Sequence, residues 1–204
     1  MLLNERQKDA LAELINIAFA RTAAALSDLT GNRVLLAPPQ VEVYPAAELP
    51  SAVARFISGE AASVHQVFSG PVGGDAMLLL SYDDAVYLTN LLANGHAPIT
   101  RLDESAREAL TEVGNILLNA CLGMFGNVLH VRVSFSVPHL HINTVEDMVA
   151  AWAGPEIDVR YALAVFTSFR VKDAEVKGYV VLVLSVQSLE RLMAEIDAWV
   201  TRSC

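Results

Sequence analysis

One sparse pattern occurs twice in this chain: Glu13, Asn16 and Pro39 recur as Glu112, Asn115 and Pro138. In both copies glutamate leads asparagine by three positions, and twenty-two residues separate asparagine from proline. Three positions held at one offset mark a duplicated unit, which restricts the chain to folds in which each half supplies matching elements. A chain of 204 residues can form one domain or two small ones with a proper core. The repeat favours a single domain of two similar halves, residues 1–94 and 101–204, joined by a connector at 95–100 that contains Gly95 and Pro98.

Hydrophobic periodicity gives both halves the same order of elements. From Asn4 to Leu29, the residues Leu11, Leu14, Ile15, Ala18, Phe19 and Leu26 recur at helical spacing, with a stop at Thr30-Gly31-Asn32. The counterpart runs from about Leu102 to Phe125, with Leu110, Val113, Leu117, Cys121 and Met124 on its apolar stripe and Gly126-Asn127 as the stop. A Val-rich strand follows each helix, Val34 to Tyr44 and Val128 to Val137. Short helices are expected at Ala46 to Ile57 and at Val145 to Trp152, the second capped by Asn143 or Thr144 and ended by Gly154-Pro155. Two strands then close on a turn, Ala61 to Phe68 with Ala76 to Tyr82, and Val159 to Arg170 with Val176 to Val186 around Lys172-Asp173. A final helix ends each half, Asp83 to Leu92 and Ser188 to Val200, with Asp83 and Ser188 as expected caps. Hairpins in place of strict strand and helix alternation predict an α+β fold. The expected arrangement is two halves related by a pseudo-twofold axis, their strands pooled in one antiparallel or mixed sheet and the two long helices on one face.

The hydrophobic fraction is 53%, yet stretches such as Tyr179 to Leu184 are too short to span a bilayer, so no membrane insertion is expected. A charged start without a basic flank and apolar run does not read as a signal peptide, and a cytoplasmic location is expected. The formal charge of -9 disfavours nucleic acid and anionic lipid as partners. The two cysteines, Cys121 in a helix and Cys204 at the end of the chain, are poorly placed for a structural disulfide.

Asp9, Glu13 and Asn16 form one polar stripe at helical spacing, turned away from the apolar seam; Glu108, Glu112, Asn115 and Asn119 form its counterpart. Either stripe alone reads as an ordinary solvated helix face. Asparagine, however, is disfavoured within helices by roughly half a kcal/mol against alanine, and its presence at both equivalent positions calls for another explanation.

The spacing of Asp or Ser, three residues, Glu, two residues, Asn, twenty-two residues and Pro resembles that of the CheC, CheX and FliY phosphatases of chemotaxis. Asp9, Glu13, Asn16 and Pro39 match it in full; Glu112, Asn115 and Pro138 match the second copy, with Glu108 where the family usually has Asp or Ser. A two-site chain without an appended domain looks most like CheC. The resemblance implies hydrolysis of the phosphoaspartate on the response regulator CheY. Asn16 and Asn115 would hold the attacking water, and Glu13 and Glu112 would pair with a regulator lysine, with Asp9 and Glu108 beside them on the docking face. An acyl phosphate is already activated, so positioning a water supplies most of the required catalysis. The resemblance also implies no cofactor of the chain's own, the Mg²⁺ being supplied by the regulator. The second short helix is similar to a docking surface for the deamidase CheD, with Asp147, Met148 and Trp152 as its candidates; a helix packed on its own sheet is the alternative. A non-catalytic adaptor that binds CheD or a response regulator is the second functional reading, and a monomer is expected because the internal repeat can satisfy its own sheet edges.

Other chemistry finds little support in the residues. His139 and His141 alternate as on one strand face without an evident third ligand, and His65, His96 and His130 read as isolated. Cys121 lies on an apolar stripe and reads as core. The Ser69 to Asp75 segment lacks the lysine of a phosphate-binding loop and reads as a turn.

Overall fold

A computed structural model describes residues 3–55, 57–92, 99–128, 132–153, 160–171 and 174–203. The connector at 95–98, including Gly95, His96 and Pro98, lies outside the described residues, as do His130, Gly154-Pro155, the Lys172-Asp173 turn, Cys204 and the side chain of Trp152.

The first half runs α1 (Glu5–Thr30), β1 (Val34–Leu36), β2 (Gln40–Pro45), a single tight turn at Ala46–Glu48, α2 (Leu49–Val53), β3 (Glu60–Ser69), β4 (Gly74–Ser81) and α3 (Tyr82–Leu92). The second repeats that order with α4 (Glu104–Val128), β5 (Ser134–Phe135), β6 (His139–Thr144), α5 (Val145–Ala153), β7 (Arg160–Val171), β8 (Ala174–Ser185) and α6 (Val186–Ser203). All eight strands join one antiparallel sheet in the order β1-β7-β8-β4-β3-β5, with β2 also on β7 and β6 also on β3. The order reads the same from either edge, so a rotation that exchanges β4 with β8 exchanges every other strand with its repeat. The expected α+β duplicated sheet is thus observed, with a feature that single-half patterning does not reveal. Each half lends its first two strands to the hairpin of the other: Gln40 faces Phe166 across β2 and β7, and His139 faces His65 across β6 and β3.

Strand alternation sends two sets of side chains to opposite faces. On one face Leu78, Leu80, Val180 and Leu182 pack under the long helices with Leu11, Ile15, Phe19, Leu110, Leu117 and Leu118. On the other, Met77, Leu79, Val181 and Val183 pack against Leu49, Val53, Val145 and Met148 of α2 and α5. Helices α1 and α4 lie side by side on the first face.

Several boundaries differ from the sequence reading, for local reasons. The strand expected from Val34 to Tyr44 is broken between β1 and β2, because Pro38 and Pro39 have no N–H to donate to the ladder; Ala37 keeps one bond by donating to the Ser168 carbonyl at 3.0 Å. Of the strand expected across 128–137, Val128 ends α4, residues 129–131 lie outside the described residues, and Ser134–Phe135 form β5; the longer strand that follows is β6, where sequence spacing shows only the alternation of His139 and His141. The short helix expected from Ala46 to Ile57 is a tight turn plus the five residues of α2. Gly31, at φ 64, ends α1 where expected, but α4 runs through Gly126-Asn127 to Val128. Serines begin the last helix of each half. Asp84 N–H donates to Ser81 Oγ at 3.0 Å and Ser188 N–H to Ser185 Oγ at 3.1 Å, so Ser81 and Ser185 take the capping role expected of Asp83 and Ser188.

Helix α1 is long and apolar enough to cross a bilayer by length and composition over Glu5–Asp28, contrary to the reading that every apolar stretch is too short. Leu11, Leu14, Ile15 and Phe19 of that stretch are buried in the core, whereas Ile17 is 40% exposed.

Candidate functional site

The core fixes which face of each long helix looks outward. Burial of Leu11, Leu14, Ile15, Ala18 and Phe19 turns Asp9, Glu13 and Asn16 to solvent, and all three are exposed. In α4, burial of Leu110, Val113, Leu117 and Leu118 turns Glu108 and Glu112 to solvent, while Asn115 is half-buried. Each Glu and Asn stand three residues apart on one helix, about one turn, so the two side chains are neighbours. Pro39 and Pro138 are both half-buried at the start of β2 and β6.

Neither Glu13 nor Glu112 has an ion-pair partner among the described residues. Exposed carboxylates without counter-charges are free to meet a cationic group of another molecule. Ile17, 40% exposed, adds an apolar contact beside Asn16. Both sites lie on helix surfaces, and beside Glu112 an open depression is bordered by Glu104, Arg107, Glu108 and Thr111. A small cavity of about 150 Å³, lined in part by Gln40, Glu42, Tyr44, Phe166 and Tyr179, belongs to the opposite face of the sheet. Open helix faces suit a macromolecular partner better than a small molecule, which favours an enclosing pocket.

The two copies differ in one polar contact. Asn119 Nδ2 donates to Asn115 Oδ1 at 2.7 Å. Asn119 stands on the polar stripe expected from sequence spacing, and its distance of four residues from Asn115 is the signal for such a bond. No comparable bond holds Asn16 among the described residues; the position one turn on is Ala20.

Asp147 is exposed at the start of α5, where its N–H donates to Thr144 Oγ1 at 3.2 Å and its Oδ2 accepts from that hydroxyl at 2.8 Å. Met148, grouped with it as a docking candidate, is 1% exposed and belongs to the core. The surface expected around α5 therefore loses its central apolar residue, because that face of the helix covers the sheet.

Strand pairing also gathers histidines that sequence spacing leaves apart. His65 lies opposite His139, and its Nε2 is 3.0 Å from Asp75 Oδ1, so it is not the isolated residue expected. His141 lies with them, its pKa lowered by burial first and then by the neighbouring His65 and His139. No group of three or more ligating side chains is arranged to hold a metal ion among the described residues. Burial pushes the Cys121 thiol up to about 12, as fits a core residue.

Fold and site together define a duplicated α+β protein presenting an outward Glu–Asn pair on each of two adjacent helices. No protein-family model matches the sequence. It is 23% identical over 205 residues to the CheY-P phosphatase CheC of Bacillus subtilis, covering 96% of each chain. It is also 24% identical over 147 residues to the flagellar motor switch phosphatase FliY of the same organism, covering 71% of this chain and 38% of that one. The fold matches Thermotoga maritima FliY with a TM-score of 0.78 at 20% identity, covering 97% of this chain and 99% of that one. It also matches FliM from a Helicobacter pylori FliG–FliM complex with a TM-score of 0.69 at 10% identity, covering 94% and 100%. The chain is thus similar in sequence to a CheC and a FliY phosphatase and shares the fold of a FliY.

Proposed function

We propose that this chain is a phosphatase that hydrolyses the phosphoaspartate of a CheY-type response regulator, using one site on α1 and one on α4. The observation that carries the reading is the pair of outward Glu–Asn couples, Glu13 with Asn16 and Glu112 with Asn115, in a chain similar in sequence to a CheC and a FliY. The helix face docks on the regulator, and the glutamate pairs with a lysine there, with Asp9 and Glu108 extending the acidic surface. The asparagine then reaches the phosphoaspartate and orders a water in line with phosphorus. A carboxamide can donate to or accept from that water without taking its proton. Attack breaks the bond between phosphorus and the aspartyl oxygen, leaving a free carboxylate on the regulator and inorganic phosphate. Positioning of this kind is effective because the acyl phosphate is already activated. The required Mg²⁺ belongs to the regulator, so this chain needs no cofactor of its own. The reaction is placed in the cytoplasm, with residues 1–94 and 101–204 acting as two halves of one monomeric domain.

The test is the decay of a phosphorylated CheY-type regulator with and without the chain. Acceleration that scales with the amount of chain supports the reading; decay at the regulator's own rate removes it. The second reading, a non-catalytic adaptor that binds CheD or a regulator, draws support from the similarity in fold to FliM solved in complex with FliG. Binding of the phosphorylated regulator without faster decay would favour it.

A further inference from the structure

At the spacing that maps Asn16 onto Asn115, Asn119 falls on Ala20. Ala20 is exposed and has no side-chain polar atom, whereas Asn119 is half-buried and donates from Nδ2 to Asn115 Oδ1 at 2.7 Å. The other amide atom of Asn119, Oδ1, is buried without a hydrogen-bond partner. A buried amide oxygen left unsatisfied is unfavourable, and a small apolar residue, as in the first copy, would avoid it. The one bond that Asn119 makes therefore identifies what its side chain accomplishes at this position.

We propose that Asn119 is a positioning residue for the α4 site. It occupies one lone pair of the Asn115 carboxamide oxygen and so fixes the plane of that amide. Asn115 Nδ2 and the remaining lone pair are then held in one orientation toward the attacking water. The inference rests on the reading of Asn115 as the residue that orders this water. Asn16 has no such support and must lose rotamer freedom when the regulator docks, whereas Asn115 is ordered beforehand. The consequence falls on turnover rather than on affinity, since the bond orients the Asn115 amide and leaves Glu112, the residue read as pairing with the regulator, unchanged.

The test uses the full chain with Asn16→Ala, which leaves the α4 site alone, and measures phosphate release from a phosphorylated CheY-type regulator. Asn119→Ala removes the bond, and Asn119→Asp removes the donor while keeping the shape, so a folded aspartate variant suffices if the alanine variant is unstable. Both are expected to lower kcat by about tenfold with KM unchanged, as small misplacements of a reacting group do. Ala20→Asn, placed in an Asn115→Ala chain, is expected to raise kcat at the α1 site. Independently of activity, the Asn119 side-chain amide protons should exchange slowly by NMR and lose that protection in Asn115→Ala. Unchanged kcat in both Asn119 variants, while Asn115→Ala in the same background abolishes release, overturns the positioning role and leaves the catalytic reading standing. A raised KM at constant kcat overturns it as well. Release from the Asn16→Ala, Asn115→Ala double variant at the wild-type rate overturns the catalytic reading itself.

Discussion

Helices α1 and α4 present the same two candidate side chains, yet they are held to the body of the protein differently. At the position before Asn16, α1 inserts Ile15, which is 1% exposed; the matching residue of α4 is Gly114. A Cβ at Gly114 would stand 2.5 Å from Val64, so α4 lies directly against β3 where α1 is separated from its strand by a large side chain. Asn115 is correspondingly half-buried and bonded to Asn119, while Asn16 is exposed beside the exposed Ile17. Duplication has preserved the Glu and Asn on each helix and allowed the support beneath them to diverge. One site is seated and ordered; the other is open.

Reversing the charge at both glutamates should show the largest effect on this comparison. Glu13→Lys with Glu112→Lys is expected to weaken docking of a CheY-type regulator about a hundredfold, with fold and thermal stability intact because both residues are exposed. Titration at low and high salt checks it, and the wild-type affinity should itself fall with salt. Two single reversals of equal effect would show that the regulator docks equally on both helices.

Gly114→Ala tests the close seating of α4. Alanine is the better helix former by about 1 kcal/mol, but its methyl would force Val64 aside, and overpacking of this kind costs about 1–3 kcal/mol. A net loss of stability by denaturant unfolding is expected; a gain would mean that α4 shifts freely on the sheet. Next in size, Asn115→Ala should remove more turnover than Asn16→Ala, by up to about tenfold, if the ordered amide is the more effective one. Equal losses would make the two supports equivalent in function.

The smallest effect concerns Cys121, which matches the buried Thr22 of α1. The unfolded chain ionises this thiol near pH 8.5, whereas in the folded chain burial holds the pKa at about 12. Between those values the unfolded state binds fewer protons, so folding stability falls as pH rises, by about 1 kcal/mol by roughly pH 9.2. Cys121→Val should flatten that slope. Native Cys121 should also resist thiol reagents at pH 8 until the chain unfolds.

Much of this molecule was legible in its sequence because helical and strand periodicity are local. The apolar stripes of both long helices, the repeated order of elements and the outward stripes of Asp9, Glu13 and Asn16 and of Glu108 and Glu112 all follow from spacing of four residues or fewer. What the sequence did not disclose depends on partners distant along the chain. The exchange of β1 and β2 for β5 and β6 between halves is set by pairing such as Val43 with Leu163 and Leu140 with Val64. The same exchange brings His65 opposite His139 and leaves Met148 facing the sheet. The bond from Asn119 to Asn115 lies between these cases: its spacing is local, but the partial burial of Asn119 is seen only in the folded chain.

The most direct measurement is phosphate release from a phosphorylated CheY-type regulator with wild type, Asn16→Ala, Asn115→Ala and the double variant side by side. Two working sites predict that each single variant retains part of the activity, less for Asn115→Ala, and that the double variant falls to the regulator's own rate. A double variant as fast as wild type would contradict the assignment of catalysis to these two helices.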